Sequence, residues 1–278
     1  MSNKTKIKFI RSGLITSLQG RSIHNLQHEG VTTSGPMDIF LSKIGNTILN
    51  NNEDKVCFEI CKFGPKIKII KGKFIFLVSG NINFEIKKNK KLIKGKCYQS
   101  YELNKNDIID IKYTTNSNYA YLVFKGEFEN IDKNCLSSSI LSSSLGLNNG
   151  KKISELDEYT LNVKLNFKHR KFNFNYLSYY SNKIRIIKGP QMNYFKIKDL
   201  KKFYAKKFLI SKNLNRIGIR LIGNPIKPTI SGNIQSEGII KGSIQIPSDG
   251  NPIILAAEHP TIGGYPKIGT IIMSDFSK

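Results

Sequence analysis

The chain has 278 residues, 39% of them hydrophobic and 10% aromatic, and a formal net charge of +24 at neutral pH. A chain of this length buries roughly three quarters of its unfolded surface, enough for one large or two modest cores, and the composition suits a globular protein. No apolar run approaches the ~20 residues that a membrane helix needs, so no membrane-spanning helix is expected.

The first residues, MSNKTKIKFIRSGLITSL, are basic but lack a long apolar region and a small-residue cleavage site, so no signal peptide is read there. Four cysteines without framework spacing point to a reducing cytoplasm and to free thiols. If Cys57 and Cys61 share a strand, they lie on one face about 13 Å apart, too far to bond. The positive charge raises nucleic acid or anionic membrane as partners. Lysine is scattered through strands and loops alike, however, beside abundant Asn and Ile, and no zinc-finger, RRM or KH pattern occurs. The charge therefore reads as compositional bias and a solvated basic surface, suited to steering anionic substrates or an acidic partner subunit, with no specific nucleic-acid role.

In chain order, residues 7–18 read as a strand entering a turn at Ser12-Gly13. His24 and His28 stand four apart, a metal-ligand spacing only on a helix; the surrounding glycines and polar residues argue for a loop, so no metal site is expected. After Asp38, apolar Ile39, Phe40, Ile44, Ile48 and Leu49 fall at helical spacing. Asp38 occupies the N-cap position, so it reads either as a cap or as a ligand contact. From Lys55 to Phe128 the chain alternates short strands (VCFEICKF, KIKIIKG, KFIFLVSG, NFEIKK, CYQSYEL, IIDIKYT, YAYLVFKG) with turns, the pattern of a barrel or sandwich. Their lysines are expected to face outward. A Ser-rich tract follows, which by composition alone reads as a linker.

Further on, IRIIKG reads as a strand into Gly189-Pro190-Gln191, and Ile197 to Lys206 as a helix burying Leu200, Phe203 and Tyr204. Arg216 and Arg220 alternate along an expected strand; such an arginine binds a carboxylate or phosphate in two-pronged fashion or forms a structural ion pair. Ser243 to Pro247 alternates polar and apolar, Asp249-Gly250 supplies a tight turn, and Ile253 to Ala257 returns, together a hairpin. In Thr261-Ile262-Gly263-Gly264-Tyr265-Pro266-Lys267 the paired glycines are expected to reach conformations closed to other residues. Polar groups of Gln245, Asp249, Tyr265 and Lys267 would converge at one end of the hairpin, a small-molecule corner.

The stretch 236–268 closely resembles the signature of the biotin-dependent carboxyltransferase family, also called allophanate hydrolase subunit 2. The matching residues are Ser236, Glu237, Gly238, Gly242, Ile244, Gln245, Pro247, Asp249, Gly250, Pro252, Thr261, Gly263, Gly264, Tyr265, Pro266, Lys267 and Ile268. A second match lies at Gln19, Gln27, His28, Gly30, Val31, Ser34, Gly35, Met37 and Asp38, but Gly20 and Ile23 replace a family Asp and Arg, with Arg21 as a possible stand-in. Gly189-Pro190-Gln191 matches the family's GPQ, and the loose fit of SSSLGLNNGKKIS to a family segment implies an ordered crossover in the Ser-rich tract.

The expected architecture is mainly β with few short helices: two β-barrel-like lobes, 1–150 and 151–278, the second cyclophilin-like as the resemblance implies. Within the family, a short free-standing chain is most like a 5-oxoprolinase C subunit. The resemblance then implies a cytoplasmic complex with 5-oxoprolinase subunits A and B (the KipI-like partner) that opens 5-oxoproline to glutamate using ATP. No GxxxxGK[ST] phosphate loop, GxSxG elbow or biotin attachment site occurs, so ATP is expected on a partner subunit, no covalent biotin on this chain, and no activity from the chain alone. Gln245, Asp249 and Lys267 would be catalytic, orienting substrate amide or water and holding anionic oxygens. Arg216, Gly263, Gly264, Tyr265, Ser34 and Asp38 would line the substrate. Two other readings stay open: carboxyl transfer between carboxybiotin and a urea-like acceptor, and a non-catalytic KipA-type regulator.

Overall fold

A computed structural model describes residues 3–129, 136–163, 167–175, 183–230 and 233–277. They are mainly β, with two α-helices among the described residues, α1 (Ile39–Ile48) and α2 (Ile197–Ala205). The chain divides into two compact units, residues 1–22 with 38–179 and residues 23–37 with 180–278. Residue 150 lies inside the first unit, and the segment 23–37 leaves that unit to join the second.

In the first unit, a seven-stranded antiparallel sheet runs in the order Glu127–Phe128, Glu158–Val163, Asn3–Arg11, Lys66–Lys71, Ile108–Thr114, Ile82–Lys88, Lys91–Lys94. A five-stranded sheet runs Ile15–Gln19, Cys57–Cys61, Tyr119–Phe124, Phe74–Gly80, Ser100–Leu103. All seven strands expected between Lys55 and Phe128 form. Period-two patterning builds the core: in Lys66–Lys71, Ile67 and Ile69 are buried while the lysines point outward. These isoleucines join Ile7, Phe9, Phe58, Phe74, Phe76 and Phe124 in one cluster. Phe74–Gly80 is buried along its whole length because its second face meets α1, where Ser79 Oγ donates to Leu41 O at 2.7 Å. Gly45 permits that approach, since a Cβ there would lie 2.8 Å from Ser79 Oγ. The helix accordingly buries Leu41, Ser42, Gly45, Asn46 and Ile48, and leaves Ile39, Phe40 and Ile44 only partly covered. Cys57 and Cys97 are free thiols; Cys135 lies outside the described residues. Of the Ser-rich tract, residues 136–150 hold a two-residue ladder, Ser139–Ile140 against Leu145–Gly146.

The second unit is organised on one six-stranded antiparallel sheet: Ile186–Lys188, Lys267–Ile271, Ser243–Gln245, Ile253–Leu255, Gly218–Ile222, Leu209–Leu214. The hairpin forms with Ile244 opposite Ile254 and Gln245 opposite Ile253. Gly250 closes its turn at φ 79°, donating to Pro247 O at 2.9 Å. Phe195, Ile226, Ile244, Ile246, Ile268 and Ile271 make a smaller core, with Leu200 and Phe203 of α2 packed on it. Tyr204 does not join them. It is exposed, and Asp199 is the residue that α2 buries. No helix among the described residues is long and apolar enough to cross a membrane.

Candidate functional site

Two polar clusters lie in the second unit. The first grows from the adjacent strands Ser243–Gln245 and Lys267–Ile271, on which Gln245 and Lys267 are directly opposed. A register shift falls between Ile244 and Gln245, and such a bulge re-aims the side chain that follows it. Lys267 is 7% exposed and its Nζ pairs with Glu237, which is 41% exposed. Gln191 braces both: its Nε2 donates to Glu237 Oε1 at 2.6 Å, and its Oε1 accepts from the Lys267 backbone N–H at 3.1 Å. Lys267, with Gln191, holds the Glu237 carboxyl below its usual range against the effect of desolvation. Gln245 is buried, and its Nε2 has no hydrogen-bond partner. That amide lies over Gly263, where a Cβ would come within 2.6 Å of it. Gly263 is opposite Glu237 in a two-residue ladder, Glu237–Gly238 against Ile262–Gly263. The Lys267 ammonium and the Gln191 amide N–H therefore converge on one carboxylate oxygen, with the unpaired Gln245 amide on the adjoining strand, an arrangement suited to binding a carboxylate or polarising a carbonyl.

The second cluster centres on Arg216. The strand Gly218–Ile222 begins after it, because Asn215 Oδ1 accepts from the N–H groups of Ile217 and Gly218 and turns the chain there. Arg216 and Arg220 consequently do not share a strand face. Arg216 is buried: Nε donates to Glu258 Oε1 at 2.6 Å and an Nη to Gly35 O at 2.7 Å, with Ser34 Oγ at 3.3 Å. Beside it, His259 Nδ1 donates to Pro260 O at 2.6 Å, and Nε2 lies 3.4 Å from Thr33 Oγ1. Burial lowers the His259 pKa, outweighing that carbonyl, and Lys241 lowers it further.

The profile described as "Carboxyltransferase domain, subdomain A and B" matches residues 29–278. This chain belongs to that family. Among its relatives, the 5-oxoprolinase C subunit of Escherichia coli K12 is 23% identical over 269 residues, 97% of this chain and 85% of that one. The C subunit of the Haemophilus influenzae 5-oxoprolinase is 24% identical over 265 residues, 93% of this chain and 82% of that one. The solved structure of K. lactis urea amidolyase covers the whole chain at a TM-score of 0.85 and 22% identity, while this chain spans 18% of that protein.

The carboxyltransferase-family residues singled out in the sequence separate in space. Gln245, Lys267 and Gly263 come together. Asp249 stands in the hairpin turn, where against the pull of burial Asn251 and an ion pair with Arg220 hold its carboxyl low. Tyr265 is half-exposed. Neither Gly263 nor Gly264 has a positive φ; at 263 the absence of a Cβ gives the Gln245 amide its room, and Gly264 packs 3.1 Å, by its would-be Cβ, from Ile234 O. Ser34 joins the Arg216 cluster, whereas Asp38 belongs to the first unit and caps α1, accepting from Leu41 N at 3.0 Å. At Gly20 a Cβ would meet Ser137 O at 2.7 Å, so the family's Asp does not fit there unchanged. Gln191, Glu237, Glu258 and His259 join the two clusters although the sequence did not single them out as site residues. Gln191 and Glu237 stood inside matched motifs, so a signal existed; Glu258 and His259 carried none. Among the described residues no group of three or more His, Cys, Asp or Glu is placed to hold a metal ion.

Proposed function

We propose that this chain is a component of an ATP-dependent 5-oxoprolinase complex that opens 5-oxoproline to glutamate. The observation that carries the reading is the buried Lys267 ammonium beside a Gln245 amide whose N–H has no acceptor. 5-Oxoproline offers both complements, a carboxylate for Lys267 and a lactam carbonyl for Gln245. An unstrained lactam is a poor electrophile, so its oxygen is phosphorylated by ATP with loss of ADP. Water then adds to the activated carbon, and the C–N bond breaks with release of phosphate. In this reading the nucleotide sits on one of the two partner chains, and this chain orients the lactam. Arg216 acts through Glu258, Ser34 and Gly35 as a positioning residue. Gly263 gives the amide of Gln245 its room, and Tyr265 walls the rim. Asp249 and Asp38 are left out, because the first is engaged by Arg220 and the second caps a helix. The six-stranded sheet of the second unit is taken as the cyclophilin-like half of the family's fold.

A second reading, carboxyl transfer from carboxybiotin to a urea-like acceptor, has the family's description in its favour. One reconstitution separates the two. Mixed with its cognate A and B subunits, the chain is expected to support 5-oxoproline-dependent release of ADP and glutamate, and alone to release neither. Turnover by the isolated chain, or carboxylation of urea with a biotin-carrier partner and no 5-oxoproline turnover, would refute the proposal.

A further inference from the structure

The ion pair between Lys267 and Glu237 is unequal in its access to water. Lys267 is 7% exposed and Glu237 41%. If the pair opens, the carboxylate regains water readily, but the ammonium is left desolvated and without an anion, the costly half of the exchange. The Glu237 side chain is therefore the exchangeable partner. It also hangs from a short ladder of two residue pairs, a minimal anchorage compared with the strands that carry Gln245 and Lys267. Its Oε1 receives both Lys267 Nζ and Gln191 Nε2. The Gln245 Nε2 donor is buried without an acceptor across Gly263, and two residues earlier on the same strand Ser243 Oγ is also buried and unpartnered. Buried polar groups are ordinarily satisfied, so the unpaired Gln245 amide, directly opposite Lys267, points to a ligand that supplies what the chain does not.

We propose that Glu237 is an internal stand-in for a ligand carboxylate: it holds Lys267 and Gln191 until a carboxylate-bearing ligand takes its place and offers a neighbouring carbonyl to Gln245. This rests on the proposed ligand site at Gln245 and Lys267, and adds that the site is selective for ligands able to outcompete its own carboxylate. Glu237 thus sets the affinity threshold. A neutral lactam without a carboxylate does not displace it.

The test is calorimetric titration of the full chain with 5-oxoproline, cyclopentanecarboxylate (the ring acid without the lactam) and 2-pyrrolidinone (the lactam without the acid). Glu237→Gln, which removes the competing charge at constant shape, is expected to bind both acids about tenfold more tightly than the unsubstituted chain, a change of ~1.4 kcal/mol. Lys267→Met is expected to lose both acids, and 2-pyrrolidinone to gain nothing from Glu237→Gln. If Glu237→Gln lowers the unfolding midpoint, Glu237→Asp, which shortens the reach to Lys267, serves with the same expected direction. Acid binding that is unchanged or weaker in these variants, an equal gain for 2-pyrrolidinone, or no acid binding by any variant overturns the proposal. A gain confined to cyclopentanecarboxylate keeps the exchange and removes 5-oxoproline as the substrate. Acid binding that needs Lys267 but ignores Glu237 does the reverse.

Discussion

Lys267 and Arg216 are both buried cations, and the water available to their partners separates the consequences of removing them. Glu258 is 1% exposed, so Arg216→Met removes the ion-pair partner of a buried carboxylate. A loss of roughly 3 kcal/mol or more is expected in urea unfolding. Arg216→Lys should recover little of it, because a single ammonium does not reach Glu258, Gly35 and Ser34 together. Lys267→Met leaves a half-exposed Glu237 that water can solvate, and the methionine keeps the apolar stem, so a smaller cost of ~1–2 kcal/mol is expected. In sequence Lys267 is indistinguishable from a surface lysine; its burial makes that cost measurable. His259 titrates in a separate window. Its folded pKa lies below the ordinary 6.5, chiefly through burial, so below that pH the unfolded chain binds the proton that the folded chain resists. Stability therefore falls as pH drops through about 6.5 towards the folded pKa, and is unaffected by this group above it. The fall in Tm between pH 7.5 and roughly 5.5 should be smaller in His259→Asn than in the unsubstituted protein.

At the scale of elements, Asp38 and Gly263 show what local sequence can and cannot announce. The cap was legible, because an Asp before an apolar periodic run has one obvious backbone duty. Asp38→Ala should cost ~1 kcal/mol and Asp38→Asn only a few tenths, read by urea unfolding. The strands from Lys55 to Phe128 were legible for a similar reason, since alternation is a local signal that burial then honours. The role of Gly263 was not. Adjacent glycines suggested a left-handed backbone, yet what excludes a side chain there is Gln245 arriving from another strand. Gly263→Ala should leave the unfolding midpoint nearly unchanged, because a flexible amide can move aside, while impairing ligand binding by displacing that amide. Gly264→Ala should be milder in binding. Equal effects of the two would show that the loop's flexibility, and not the Gln245 approach, makes glycine necessary. The pairing of Arg216 with Glu258, residues 42 positions apart, and the transfer of 23–37 to the second unit depend on tertiary packing. No periodicity within either segment encodes them. The turn at Asn215 likewise overrode the expected strand and took Arg216 off the face of Arg220.

For the whole molecule, the charge of +24 is spread over strands, helices and loops alike, and part of it is neutralised locally, as where Lys6 and Lys8 share Glu158. DNA binding is expected to be non-specific and to weaken by orders of magnitude between about 50 and 200 mM salt, as counterion release requires. Retention of a preferred sequence at physiological salt would reveal a nucleic-acid role. Under the proposed function, the second unit, through Lys267 and Gln245, handles the substrate in an assembled complex. The most direct measurement is kcat/KM for 5-oxoproline in the complex with the A and B subunits, for Lys267→Met beside Arg21→Ala, each checked for an intact fold. Lys267→Met is expected to lower it about a hundredfold, the loss of one charge-assisted contact from a buried ammonium, with Arg21→Ala near the unsubstituted value. A silent Lys267→Met together with a dead Arg21→Ala would place the chemistry in the first unit and contradict the claim.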